Sequence, residues 1–147
     1  MNAEVSVDAN VLLYTIDEDP ASKEKRERAQ QLLLSERWGW SIQVAAEFFV
    51  NAISPKRPFR LAAGDAAAFV ETWLSYPTLP LTSDLVRHAI AFHQRFQLNY
   101  WDAAIIAAAR QMGCEIVYSE DLTDGQNYEG VRVVNPFRSV SALAPLA

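Results

Sequence analysis

The chain carries one cysteine and two histidines in 147 residues, and its only three lysines are Lys23, Lys25 and Lys56. Each shortage closes off a class of protein. A lone Cys114 cannot form an internal disulfide, and beside an expected strand it reads as a small buried thiol rather than a reactive one. With His88 and His93 the only imidazoles, a zinc site built from His and Cys lacks ligands. No apolar stretch reaches the roughly 20 residues a membrane-spanning helix needs. No basic segment precedes a hydrophobic run at the start, so no secretory signal is expected. These shortages together predict a cytoplasmic protein with no membrane partner.

What is abundant is core. Half the residues are apolar, with four Trp, five Tyr and seven Phe. That composition excludes disorder, and the length suits one domain spanning residues 1–147. No repeat, linker or domain boundary is visible. The net charge of −5 argues against broad electrostatic binding of nucleic acid. It leaves room for a nuclease, because a site made of carboxylates is acidic and the cations that neutralise it are not in the sequence.

The stretch AEVSVDANVLLY, residues 3–14, organises the rest. Ala3, Val5 and Val7 share one side of an extended segment, so a buried first strand is expected to end at Asp8, where open α/β sheets place their ligand sites. A short helix follows, capped by Asp8 or Asn10. Asp19 and Pro20 open a second helix expected to reach Arg37, with Ala29, Leu32 and Leu33 inward and its Lys, Arg and Glu residues on a solvated face. Gly39 reads as its terminator. Trp40–Val44 reads as a strand and Ala45–Ile53 as a helix carrying Glu47. Pro55 and Pro58 bracket a basic break.

Further helices are expected over Ala62–Leu74 and Ser83–Gln97, with a short edge strand at Thr78 and Leu79. Asn99–Met112 is apolar all round, as a central helix is, and Gly113 ends it. Strands at Glu115–Tyr118 and Val131–Val134 enclose a polar loop, Ser119–Tyr128. The closing SVSALAPLA is expected to pack loosely or fray. Five short strands alternating with helices make an α/β fold with a mainly parallel sheet.

Four acids stand out. Asp8 ends the first strand, Glu47 sits on a largely apolar helix, Asp102 opens the most buried helix and Asp121 follows a strand. Strand ends and helix starts on one edge of a parallel sheet converge, so these four could share a pocket. Crowded carboxylates repel and are costly to desolvate. A divalent cation answers both problems, and an all-oxygen donor set favours Mg²⁺ or Mn²⁺. Such ions activate water and stabilise charge on a phosphate, which is the chemistry of phosphodiester hydrolysis.

Each acid also has an ordinary role open to it. Asp8 could cap a helix, and Glu47 could be an exposed residue in a first turn. Asp102 could complete a cap with Asn99. Asp121 could be a plain loop residue, with Glu120 and Asp124 as alternative acids. Two-carboxylate glycosidase chemistry gives no reason for four acids. A receiver domain would need a late strand-end lysine, and none exists beyond Lys56.

These residues carry a resemblance. The chain resembles the PIN-domain proteins, and among them the VapC-type ribonuclease toxins of prokaryotic toxin–antitoxin systems. DANVLLY at 8–14 is similar to the family's opening motif, VAAEFFVNA around Glu47 to the second, YWDAAIIAAA around Asp102 to the third, and SEDLTDGQNYEGVRVVNPF at 119–137 to the closing segment. The resemblance implies a three-layer α/β/α fold with a five-stranded, mainly parallel sheet in the order 3-2-1-4-5. It implies Mg²⁺ or Mn²⁺, one or two ions, and hydrolysis of RNA.

Asp8, Asp102 and Asp121 would lie closest to metal. Glu47 would bind it directly or through water, or position the attacking water. Asn10 and Ser119 would donate to the ligands, and Asp124 would assist. The resemblance further implies a homodimer and a small antitoxin that wraps the toxin.

RNA needs contacts beyond the metals. Lys56, Arg57 and Arg60 are the best candidates for phosphate contacts, with Arg87 and Arg95 next. Trp40, Tyr76 and Trp101 are read as core rather than as base-stacking platforms. The competing readings are a PIN-domain nuclease in RNA processing without an antitoxin, and a non-catalytic interaction module.

Overall fold

The computed structural model describes residues 3–138; the closing SVSALAPLA lies outside them. Its central strand is β1, Val5–Val7, buried along its whole length. A strand covered on both faces reads as an apolar run, and both of its neighbours here are parallel. Val5 pairs with Trp38 of β2 (Trp38–Ser41) on one side and with Ile116 of β4 (Ile116–Tyr118) on the other. Beyond β2 lies β3, Thr78–Leu79; beyond β4 lies β6, Val131–Val134. The five parallel strands run in the expected order.

A sixth strand, β5 (Asn127–Tyr128), pairs antiparallel with β6 at the sheet's edge, giving β3-β2-β1-β4-β6-β5. It occupies the end of what the sequence suggests is loop. Helices cover both faces, completing a three-layer α/β/α architecture. α1 (Ala9–Thr15) packs on α2 (Lys23–Ser35) and α3 (Ile42–Ala52), and α3 packs on α4 (Ala63–Trp73). α5 (Ser83–Phe96) packs on α6 (Tyr100–Gln111), which lies along β2, β4 and β6.

Two boundaries differ from expectation for identifiable reasons. β2 begins two residues early and ends at Ser41, not Val44. Ser41 caps α3, its hydroxyl accepting from the Val44 N–H at 3.3 Å, so the chain turns helical at Ile42. Gly39 is an interior strand residue rather than a terminator. A Cβ there would lie 2.8 Å from Ala3 Cβ and 2.9 Å from the Pro77 carbonyl, so only glycine lets β2 sit this close to its neighbours.

The second helix also starts late. Asp19 caps a single 3₁₀ turn, Pro20–Ser22, and α2 begins at Lys23.

Trp38 and Trp40 are fully buried. Trp73 packs edge-on against both Trp40 and Phe48, tying α3 and α4 to β2. The run Ala103–Ala109 of α6 is buried throughout, its small side chains permitting close helix–sheet contact. Among the described residues no helix is long and apolar enough to cross a membrane.

Candidate functional site

The site is built around Asp8, at the C-terminal end of β1. Its extended backbone makes it the cap of α1, and Oδ1 accepts from the Ala9 N–H at 2.7 Å. The other oxygen accepts from Ser119 Oγ at 2.8 Å and from Asn10 Nδ2 at 3.3 Å. Asp8 is therefore buried with three donors fixing its orientation. Burial pushes its carboxyl up to about 6; the Ser119 and Ala9 bonds hold it down, and the charges of Glu47 and Asp121 push it further up.

Asn10 and Ser119 hold Asp121 in place. Asn10 Nδ2 reaches Asp121 Oδ2 at 3.1 Å, Asn10 Oδ1 accepts from the Glu120 N–H, and Ser119 Oγ accepts from the Asp121 N–H. The loop after β4 is thereby stitched to the start of α1. Asp102 lies in the first turn of α6, whose cap Asn99 accepts from the Asp102 N–H at 3.0 Å. Burial, then the charge of Asp121, lifts the Asp102 carboxyl above its ordinary range. Glu47 projects from α3 and takes a bond from Gln43 Nε2 one turn earlier, at 3.0 Å.

Asp8 thus feels Glu47 and Asp121, and Asp121 is felt by Asp102. Among the described residues, however, no three His, Cys, Asp or Glu side chains stand close enough to hold a metal ion together. The donor set, all carboxylate oxygen, suits a hard divalent cation.

The other loop acids point elsewhere. Glu120 binds Lys25 Nζ at 2.7 Å and accepts from the Tyr14 hydroxyl at 2.9 Å. Lys25 is accordingly a partner of this loop rather than part of a purely solvated helix face. Asp124 accepts from the Asn135 N–H at 2.7 Å and from Arg138 at 2.9 Å, and these bonds, the Asn135 one foremost, hold its carboxyl below the usual range. It closes the loop on itself.

The PIN-domain family model matches residues 5–123. The chain belongs to the PIN-domain family. No curated protein matches it significantly in sequence. Among solved structures, this PIN domain superposes on Mycobacterium tuberculosis VapC20, a sarcin–ricin loop cleaving toxin, with a TM-score of 0.64 at 22% identity, covering 80% of this chain and 89% of that one. A toxin–antitoxin complex from Klebsiella pneumoniae gives 0.66 at 19% identity, covering 90% and 97%. VapBC2 from Rickettsia felis, bound to a promoter DNA fragment, gives 0.59 at 12%, covering 88% and 96%. At these identities the likeness concerns the fold.

The cations of this PIN domain are dispersed. Arg57 is half-buried and lines a cleft of about 210 Å³ with Asn10, Tyr14, Asp17 and Glu120, beside the acids. Lys56 and Arg60 are exposed on the same break. Arg87 pairs with Asp84 at 2.6 Å, and Arg95 pairs with Glu129. Arg110 also reaches Glu129, at 3.6 Å. Sequence reading passed over Arg110, which looks there like an ordinary cation in a helix's last turn.

Trp40 is core, whereas Tyr76 stacks on Trp38 at 4.5 Å but is 40% exposed and so is not core. Trp101 is not core. It is 61% exposed, because the inward positions of α6 begin at Ala103, leaving the first turn at the helix's open end.

Proposed function

We propose that this PIN domain is a Mg²⁺- or Mn²⁺-dependent endoribonuclease, the toxin of a toxin–antitoxin pair. The observation that carries the reading is Asp8: a carboxylate buried at the end of the central strand, oriented by three donors and coupled to Glu47 and Asp121. A structural cap needs one oxygen and no acidic neighbours. Two further acids raising its proton affinity are a standing cost that a bound cation would remove.

Asp8, Asp102 and Asp121 would hold the metal, one ion or two, with Glu47 as a further ligand or the group that positions water. The cation would supply Lewis acidity to water and counter-charge to the phosphate. The protein's own contribution is orientation. Ser119 and Asn10 lock Asp8 and Asp121 into fixed rotamers, and Gln43 steadies Glu47. RNA as substrate is supported by likeness to the sarcin–ricin loop cleaving toxin VapC20, and an antitoxin partner by likeness to the Klebsiella toxin–antitoxin complex; a homodimer as the working form is inferred from the family resemblance.

The test is cleavage of total cellular RNA by purified protein in EDTA, Mg²⁺ or Mn²⁺, beside the Asp8→Asn variant. Discrete products that need metal and vanish in the variant are expected. Equal cutting by folded Asp8→Asn, or cutting indifferent to metal, would sink the reading.

A further inference from the structure

We propose that the cleft between α5, α6 and the β5–β6 hairpin is an RNA-backbone subsite, where Arg95 and Arg110 take a phosphate and Glu129 holds their place until it arrives. This rests on the ribonuclease reading and deepens it by giving the strand a path away from the acids.

The cleft measures about 480 Å³, with Phe92 and Ala107 forming apolar lining and His88, Arg95, Arg110 and Glu129 the polar wall. Both guanidiniums belong to side chains more than half exposed, yet they converge on one carboxylate, Arg95 at one oxygen and Arg110 at the other. Two positive charges on one negative leave a local surplus of cation in a chain whose net charge is −5. Planar guanidiniums offer paired donors that match phosphate oxygens as well as carboxylate ones.

Glu129 itself sits in an unusual place. It and Gly130 are the two turn residues of the β5–β6 hairpin, with φ of 52° and 94°. Such a turn favours Asn or Asp at the first position, and Glu is disfavoured in left-handed backbone. The turn nonetheless aims a long carboxylate at two arginines, as an internal substitute for an anion would be aimed.

The cleft runs toward the acids. Arg95 stands in the last turn of α5, which ends at Phe96, and three residues later Asn99 caps α6, whose first turn holds Asp102; Arg95 lies over the Phe96 ring at 5.1 Å, and Phe96 packs edge-on against Tyr128 at 5.1 Å. An RNA strand with one phosphate at the carboxylates has others that those carboxylates repel, and cations on the flank offset this. An acidic peptide would meet the same repulsion and gain nothing from the acid site, so the adjacency favours RNA.

The test is binding of a labelled single-stranded RNA of mixed sequence, followed by fluorescence anisotropy across a salt series with Mg²⁺ present. An Asp8→Asn background keeps the RNA intact, and wild-type cleavage is assayed in parallel. Arg110→Gln should weaken binding about tenfold and flatten the salt slope by about 0.7. Arg110→Lys should recover part of the loss. Glu129→Gln, by removing the competing carboxylate, should tighten binding at least about threefold, the opposite of what losing a purely structural ion pair would do.

Arg37→Gln, an exposed arginine paired with Glu4, is the neutral control. If Arg110→Gln does not fold, Arg110→Lys and Glu129→Gln decide. RNA binding unchanged in these variants, while the wild type cuts RNA, overturns the subsite alone. The same holds if a poly-glutamate peptide, and not RNA, responds to the substitutions. A wild type that neither binds nor cuts RNA overturns the ribonuclease reading with it.

Discussion

Ser119 donates its hydroxyl proton to Asp8 across 2.8 Å, joining the ends of two adjacent central strands from positions 111 residues apart. The same oxygen accepts from the Asp121 N–H, so one fully buried hydroxyl sets both acids. Ser119→Ala removes a bond to a carboxylate and orphans an amide. A loss of about 2 kcal/mol in urea unfolding is expected, with metal-dependent cleavage falling and its pH profile moving to higher pH, because the Ser119 bond is what holds the Asp8 carboxyl down. A variant as stable and as active as wild type would show the bond to be incidental.

Asp8 also gives the metal-free protein a pH dependence of definite sign. Its folded carboxyl, at about 6, lies above the ordinary 3.8. Between those values the folded state keeps a proton that the unfolded chain releases. The Asp8 contribution to stability is therefore greatest below about pH 4 and falls as pH rises to 6, by up to about 3 kcal/mol. Asp102 is shifted in the same direction. Asp8→Asn, which keeps the cap, should be more stable than wild type at pH 7.5 in EDTA and show a flatter pH profile. Mg²⁺ should raise the melting temperature of wild type and not of the variant. A wild-type melting curve that gains stability from pH 4 to 6 as the variant's does not would reverse the assignment.

Much of this site is legible in the chain because it depends on local features. Asp8 follows an apolar run, Asp102 opens an apolar helix behind Asn99, and Asp121 follows a strand; each placement follows from strand and helix period. What escaped depends on contacts between distant segments. Gly39 looks like a terminator until Ala3 and Pro77 are seen pressed against it. The β5–β6 hairpin is hidden because Glu129-Gly130 lacks the Asn-Gly signature of such a turn. Lys25 reads as solvated until Glu120 is placed beside it. Trp101 reads as core because neither its neighbours nor its period shows that the helix is open at its first turn.

The loop acids can be told apart by function. Glu120 is committed to Lys25 and Tyr14, whereas Asp121 is held toward Asp8 by Asn10. Asp121→Asn should cut metal-dependent cleavage by about a hundredfold with little change in stability. Glu120→Gln should leave cleavage near wild type and cost about 1 kcal/mol, the worth of a half-exposed ion pair. Reversed outcomes would move the fourth acid to Glu120.

Gly39 links the core to the chemistry. Adding one methyl there meets Ala3 Cβ at 2.8 Å and the Pro77 carbonyl at 2.9 Å, and the carbonyl belongs to backbone that already accepts from the Trp40 N–H at 3.0 Å. Relief requires β2 to move away from β3 or from the segment before β1, at a cost of about 1–3 kcal/mol. α3 follows β2 without a linker, capped by Ser41, so the displacement passes to Glu47 one and a half turns on. Gly39→Ala is therefore expected to lose cleavage under conditions where urea titration shows it still folded, while Gly64→Ala, at a site with no neighbour for the new methyl, should lose neither. Wild-type stability and cleavage in Gly39→Ala would mean that the strands accommodate the methyl without moving α3.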